Sequence, residues 1–282
     1  MLPGMKVRKV YPLLLTLFLI SACDNKPEQQ AKGESKAPVP ATEAITYEIK
    51  TIEKKDADCS PGESDCTYIK FEYPEIIKAP NETAREVING EIKEFLLQPI
   101  FEHEKFYSLQ EIMNDFISAY QKFIKEFPSS PQSWSVERTV SVVYQSPKVL
   151  SLELNENQYT GGAHPNAVRI FFNLNTASGK LIKLSDILAP NYEAQLNAIA
   201  ERKFRELKGL KSDESLSDAG FDFKDNQFSL NENFLIGKAG ITFYYNSYEI
   251  APYAMGPTEL FLDYSQIKDL IRTDGALSSI QK

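Results

Sequence analysis

An α+β fold, with antiparallel sheets packed against helices, is what three features of this 282-residue sequence predict. Segments with period-two alternation are grouped near the start, middle and end of the chain. Apolar residues spaced by four lie between those groups, and turn signals close several strand pairs into hairpins. Grouped strands beside grouped helices separate this pattern from the regular alternation of a parallel α/β sheet.

The first segment is an address rather than part of the fold. Lys6, Arg8 and Lys9 precede an apolar run from Val10 to Ile20, and Ser21-Ala22-Cys23 follows, the layout of a secretory signal over residues 1–22. The run is short of the roughly 20 apolar residues a bilayer span needs. The Cys23 context resembles the lipobox of bacterial lipoproteins, which implies that its thiol carries a diacylglyceryl group and opens the processed chain. Asp24 resembles the inner-membrane retention signal of enteric bacteria. Residues 23–44 are rich in Pro, Lys, Glu and Gln and poor in large apolar side chains, so they read as a disordered tether. As a flexible coil it would hold the body about 25 Å from its anchor.

Ile45, Tyr47, Ile49 and Thr51 alternate with polar residues and predict a half-buried strand. Cys66 to Ile76 predicts a second, stopped by Pro74. Between them lie Cys59 and Cys66, with Pro61-Gly62 as a turn signal; in an oxidising compartment they predict a disulfide worth roughly 2.5 kcal/mol. Ala84, Ile88, Ile92 and Leu96 predict a helix capped by Asn81 and ended by Pro99. Ser108 and Glu111 form a capping-box pattern, opening a helix with Ile112, Phe116, Tyr120, Phe123 and Phe127 as its inner stripe. Trp134, Val136, Val140, Val142 and Tyr144 share one strand parity, and Ser146-Pro147 turns into a strand at Val149–Leu154. Val168–Leu174 continues the sheet, and Thr176 to Gly179 forms a hairpin turn. Tyr192, Leu196, Ile199 and Phe204 mark another helix. Phe228–Ile236, Gly240–Tyr245 and Thr258–Tyr264 read as strands, and Ser265–Ile271 as a short helix.

Charge and composition narrow the chemistry. The formal net charge is −8; removal of residues 1–22 takes away three bases and no acids, leaving about −11. Such a surface opposes nucleic acid, whose binding needs Lys and Arg to displace counterions, and favours cationic partners. The sequence holds two histidines, His103 and His164, too few for the usual zinc sites. His103 sits between Glu102 and Glu104 in a connector. The glycine-rich, G-x-S-x-G and H-E-x-x-H signatures of common nucleotide and hydrolytic sites are missing, and no metal or cofactor is expected.

Two segments carry the sharpest local signals. Tyr159-Thr-Gly-Gly-Ala-His-Pro-Asn166 pairs two glycines with a His-Pro step. It either presents His164 for acid–base work, forms a nest of amides for an anion, or is a tight crossing. Tyr244 to Pro257 is tyrosine-rich and contains Glu249. Tyrosines in polar loops offer rigid contact area with a hydroxyl, suited to protein or sugar ligands, although some of these rings would instead fill a sheet core.

With the 172–188 stretch and Gly240-Ile-Thr-Phe-Tyr-Tyr, these segments resemble the extracytoplasmic part of RsiV-type proteins. The Cys59/Cys66 region with Tyr73-Pro74 is similar to the N-terminal module of PdaC-type peptidoglycan deacetylases. The resemblance implies a PdaC-like module over residues 45–165 and an RsiV-type module over residues 166–282. RsiV-type proteins are anti-sigma factors that sense lysozyme, and PdaC-type proteins carry a separate catalytic domain. The expectation here is the envelope-recognition part alone: a lipid-anchored, non-enzymatic binder of a lysozyme-like protein or of peptidoglycan. A peptidoglycan hydrolase using His164 and an envelope scaffold are the alternatives. The matched positions Tyr159, Gly161, Gly162, His164, Tyr248, Glu249, Tyr253 and Gly256 are the candidate ligand-binding residues.

Overall fold

Strand β1 (Thr46–Lys55) pairs antiparallel with β2 (Tyr68–Lys78) in the computed structural model, which describes residues 44–101, 105–129 and 132–278. The signal segment, Cys23, Asp24, tether residues up to 43, and His103 lie outside the described residues. Cys59 and Cys66, in the β1–β2 connection, are joined by a disulfide with Cα atoms 5.5 Å apart. Pro74 does not end β2: it lies inside the strand opposite Ile49. The next strand pairs with β2 only over Tyr68–Glu72, so Pro74 sits where one side of β2 has no strand to miss its N–H.

Helix α1 (Glu82–Leu96) begins where the Asn81 side chain accepts the Ala84 N–H at 2.8 Å. Helix α2 (Leu109–Glu126) begins with the reciprocal Ser108–Glu111 capping box. The two helices carry the chain across to β3 (Ser135–Gln145), which runs parallel to β2. Hairpins then add β4 (Val149–Tyr159) and β5 (Asn166–Asn175), giving a five-stranded sheet in chain order. The loop at 160–165 is the turn of the β4–β5 hairpin, so β5 completes this sheet.

One face of the sheet packs on both helices. Ile69, Phe71, Val136, Leu152 and Phe172 meet Ile88, Ile92, Leu96, Ile112 and Phe116, all buried. Each such side chain is worth about 1.5–3 kcal/mol relative to exposure. In the middle of this apolar stripe stands Arg138, 2% exposed. Its guanidinium pairs with Glu156, donates to the carbonyls of Leu96 and Gln98 (2.6 Å each), and lies over the Phe71 ring. A positive charge at carbonyls left free by the end of α1 is favourable. The pair therefore ties that helix end to β3 and β4.

The outer parts depart from the sequence pattern. Tyr47 and Ile49 are 39% and 54% exposed, because β1 is an edge strand whose inward side carries Ile52 instead. Phe127 is 52% exposed, since it falls just past the last turn of α2.

After β5 the chain turns at Gly179, where φ is +73° and an added Cβ would lie 2.8 Å from the Ala84 carbonyl oxygen of α1. Positive φ and this close approach both require glycine. Short helix α3 (Leu184–Ile187) and α4 (Glu193–Lys208) follow, then a second sheet of β6 (Phe234–Ile236), β7 (Gly240–Tyr245) and β8 (Thr258–Asp263), closed by α5 (Tyr264–Ile267). β6 is shorter than the 228–236 pattern suggests: Phe228 leaves the strand to join Phe204, Phe221 and Phe223 in an aromatic core under α4.

Asparagine amides join the two sheets. Asn173 of β5 donates to the Phe234 carbonyl and accepts the Ile236 N–H, both at 2.8 Å, as a strand neighbour would. Asn233 and Asn246 return the arrangement. The first accepts from Phe171 N and donates to Arg169 O; the second accepts from Arg169 N and donates to the same carbonyl. These amides cover the outer edge of β5, which would otherwise present unpaired backbone. The described residues belong to one compact unit, and none of their helices is long and apolar enough to cross a membrane.

Candidate functional site

The fold brings the two singled-out segments together at one end of the five-stranded sheet. His164, in the β4–β5 turn, stacks on Tyr253 with ring centres 4.0 Å apart and planes 12° from parallel. Tyr248 completes the group, its ring centre 5.5 Å from that of Tyr253 and its hydroxyl 3.4 Å from His164 Nε2. The other ring nitrogen, Nδ1, lies 3.1 Å from the Pro165 carbonyl. A carbonyl only accepts, so Nδ1 carries a proton, and in the neutral ring Nε2 then accepts from the Tyr248 hydroxyl. Among the described residues no hydrogen bond joins His164 to a carboxylate, serine or cysteine.

These rings are open to solvent. Tyr248 is 62% exposed and Tyr253 41%, with Met255 beside them in the sequence at 42%. Buried tyrosines of the same segment behave differently. Tyr245 is sealed in the second core and donates to the Ser229 carbonyl at 2.7 Å, and burial pushes its hydroxyl pKa up. The alternation along β7 sorts core rings from surface rings, and the following turn delivers Tyr248 and Tyr253 to the outside.

The backbone here includes several left-handed positions. Tyr248 has φ +70°, a conformation that costs a non-glycine residue on the order of 1–3 kcal/mol. Gly256, at φ 66° and ψ −178°, occupies a region open essentially to glycine alone. Gly161 and Gly162 have φ of +97° and +103° in the hairpin turn. The Gly162 carbonyl accepts from the Tyr159 hydroxyl at 3.2 Å, closing that turn on itself.

Glu249 does not reach the ring group. One of its carboxylate oxygens accepts the Asn246 N–H at 2.8 Å and the other accepts the Asn231 amide at 2.7 Å. It closes the turn that forces Tyr248 into positive φ, so it shapes the site from behind. Asn231 and Asn246 were not singled out from the sequence. Their signal would have been polar residues beside strand ends, which solvent-exposed loops also show.

Tyr159 is set apart from the ring group. It lines a cavity of about 400 Å³ with Gly62, Cys66, Tyr68 and Gln132, beside the disulfide loop. Tyr68 donates to Glu137 at 2.6 Å; burial, then the Glu137 carboxylate, push its hydroxyl up to about 12. Arg169 is another residue that sequence reading passed over. It lies over the Tyr244 ring at 4.8 Å, hydrogen-bonds Asn155 at 3.2 Å, and pairs with Glu153 and Glu259 at 3.8 and 3.5 Å. Among the described residues no group of three His, Cys, Asp or Glu side chains is placed to hold a metal ion.

Known proteins match the chain in two stretches. Residues 60–167 match the family described as deacetylase PdaC, and residues 185–265 match one described as a protein of unknown function, DUF3298. The peptidoglycan-N-acetylmuramic acid deacetylase PdaC of Bacillus subtilis (strain 168) is 25% identical over 179 residues. The match spans 62% of this chain and 38% of that protein. Two solved DUF3298 family structures share the fold. That from Bacteroides fragilis NCTC 9343 is 22% identical with a TM-score of 0.64, over 82% of this chain and 95% of its own. That from Pseudomonas aeruginosa PAO1 is 21% identical with a TM-score of 0.61, over 82% and 96%.

Proposed function

We propose that this chain is a lipid-anchored protein of the bacterial cell envelope, acting as a non-catalytic recognition module for peptidoglycan. The observation that carries the reading is the solvent-open stack of His164 and Tyr253 with Tyr248 on strained backbone. Rings of this kind have an apolar face for the C–H face of a sugar and a polar edge for its hydroxyls. Their backbone holds them in place before a ligand arrives, which lowers the ordering cost of binding. The family match over residues 60–167 and the 179-residue match to a peptidoglycan deacetylase support the same ligand class. Among the described residues His164 has no carboxylate, serine or cysteine partner of the kind a hydrolytic dyad uses.

The test is co-sedimentation of the full-length chain with purified peptidoglycan. Wild type should pellet with it, and Tyr253→Ala should weaken binding about tenfold, a loss near 1.4 kcal/mol. Equal binding by wild type and Tyr253→Ala, or no binding by either, would reject the reading. Assaying the same mixtures for released acetate and new reducing ends tests catalysis. Turnover that disappears in His164→Ala would instead favour a hydrolase.

The acidic balance favours a second reading, an RsiV-type interaction with a basic protein such as lysozyme. Calorimetry with lysozyme at low and high salt separates it from the first. Heat that vanishes with salt supports it, and no heat at low salt removes it.

A further inference from the structure

The open backbone of the five-stranded sheet is covered everywhere except along β1. Asparagine amides cover the outer edge of β5. Where β2 outruns β3, Asn89 of α1 accepts the Ile76 N–H at 2.8 Å and donates to the Ile76 carbonyl at 3.0 Å. Along β1 no described residue pairs with the outward N–H and C=O groups. The chain also enters this strand from its inner side: Ile45 is buried, and its carbonyl accepts from Gln145 of β3 at 3.2 Å. An open strand edge of this length is a template for one more strand.

The side chains of β1 select which strand fits. Alternation puts Ile52 on the helix side, opposite Phe71, so Tyr47, Ile49 and Thr51 share the other face, where all three are exposed. On the helix side Lys50 lies between Glu48 and Glu75, at 3.1 and 3.2 Å, and Lys54 bonds Asn114 of α2. A second copy of β1 added antiparallel is related to the first by a two-fold axis, and keeping faces aligned puts that axis through a residue. With the axis at Ile49, Ile49 meets its own copy, Tyr47 meets Thr51, and Glu48 meets Lys50 twice. Moving the axis to Lys50 or Glu48 sets like charges against each other, and at Ile52 it sets Lys50 against Lys54. At Thr51 the charges match again, but Ile49 faces Glu53 and Lys54 must leave Asn114.

We infer that β1 is a self-association edge: two copies of this chain join their sheets antiparallel through residues 47–51, with the two-fold axis at Ile49. The apolar side chains of both copies then cover one another on one face, and the Glu48–Lys50 pairs lock the register on the other. The inference stands independently of the ligand proposed for the exposed rings.

Disulfide trapping of the full-length chain under mild oxidation tests it, read as linked dimer on a non-reducing gel. Wild type, which keeps Cys23, sets the background. Ile49→Cys places two thiols across the axis, within reach of a disulfide. Thr51→Cys and Glu53→Cys, at equally exposed positions, leave their thiols about 14 and 27 Å apart along the strands. Ile49→Cys should therefore link at least tenfold more than either. Adding Lys50→Glu should cut that linking about tenfold, and adding Glu48→Lys as well should restore it, since the exchanged charges match again. No linking above background, equal linking at the three positions, most linking at Thr51→Cys, or linking that Lys50→Glu leaves unchanged would each overturn the inference.

Discussion

Arg138 and His164 both place a nitrogen-bearing side chain against an aromatic ring, and access to water separates what each can do. Arg138 is sealed among Phe71, the end of α1 and Glu156. Every contact it makes is internal, so it belongs to the stability of the sheet–helix layer. His164 lies on Tyr253 and beside Tyr248 with solvent on the other side. Little of the fold depends on it, and its surface is free for a ligand. Similar residue chemistry is thus closed off in one place and left open to water in the other.

Removing the buried group should have the largest effect. Arg138→Ala leaves Glu156 and two carbonyls without their partner and should cost about 3–5 kcal/mol in urea unfolding; a loss below about 1 kcal/mol would place Arg138 among surface pairs. Next comes the seam between the sheets. Asn173→Ala strands the Phe234 carbonyl and the Ile236 N–H and should cost about 2–3 kcal/mol. If instead it melts like wild type, the amide ladder is not what joins β5 to β6.

A smaller effect should appear with pH. The Tyr68 hydroxyl ionises at about 12 in the fold, against 10.0 for a free tyrosine. Its contribution is fully present below pH 10.0 and is lost as pH rises toward about 12, because the unfolded chain gives up that proton first. Melting temperature should fall across that window less steeply in Tyr68→Phe than in wild type, and identical slopes would remove Tyr68 as a contributor. Smallest of all, His164→Ala should change stability by no more than about 0.5 kcal/mol. A larger loss would move the exposed stack into the class of Arg138.

The same contrast explains what could be read from the sequence. Helix starts were legible because Asn81, Ser108 and Glu111 act on their own neighbours. Core stripes were legible where a face is continuous, as at Ile88, Ile92 and Leu96. Edge positions were not: Tyr47 and Ile49 carry a core-like pattern, yet no described residue buries that side of β1. Arg138 was hidden in a valine stripe, since its acceptable burial depends on a carboxylate and carbonyls from distant segments. The loop motifs at 159–166 and 244–257 stood out, but not that His164 would stack on Tyr253, nor that Glu249 would turn inward to Asn231 and Asn246. Local chemistry is written locally; pairings across the chain wait for the fold.

Hydrogen–deuterium exchange of the full-length chain, with and without soluble peptidoglycan fragments, tests the proposed recognition surface most directly. Protection should gather in residues 159–166 and 244–257 and leave the amides around Arg138 unchanged. Protection confined to other parts of the chain, with both loops exchanging as before, would contradict the account.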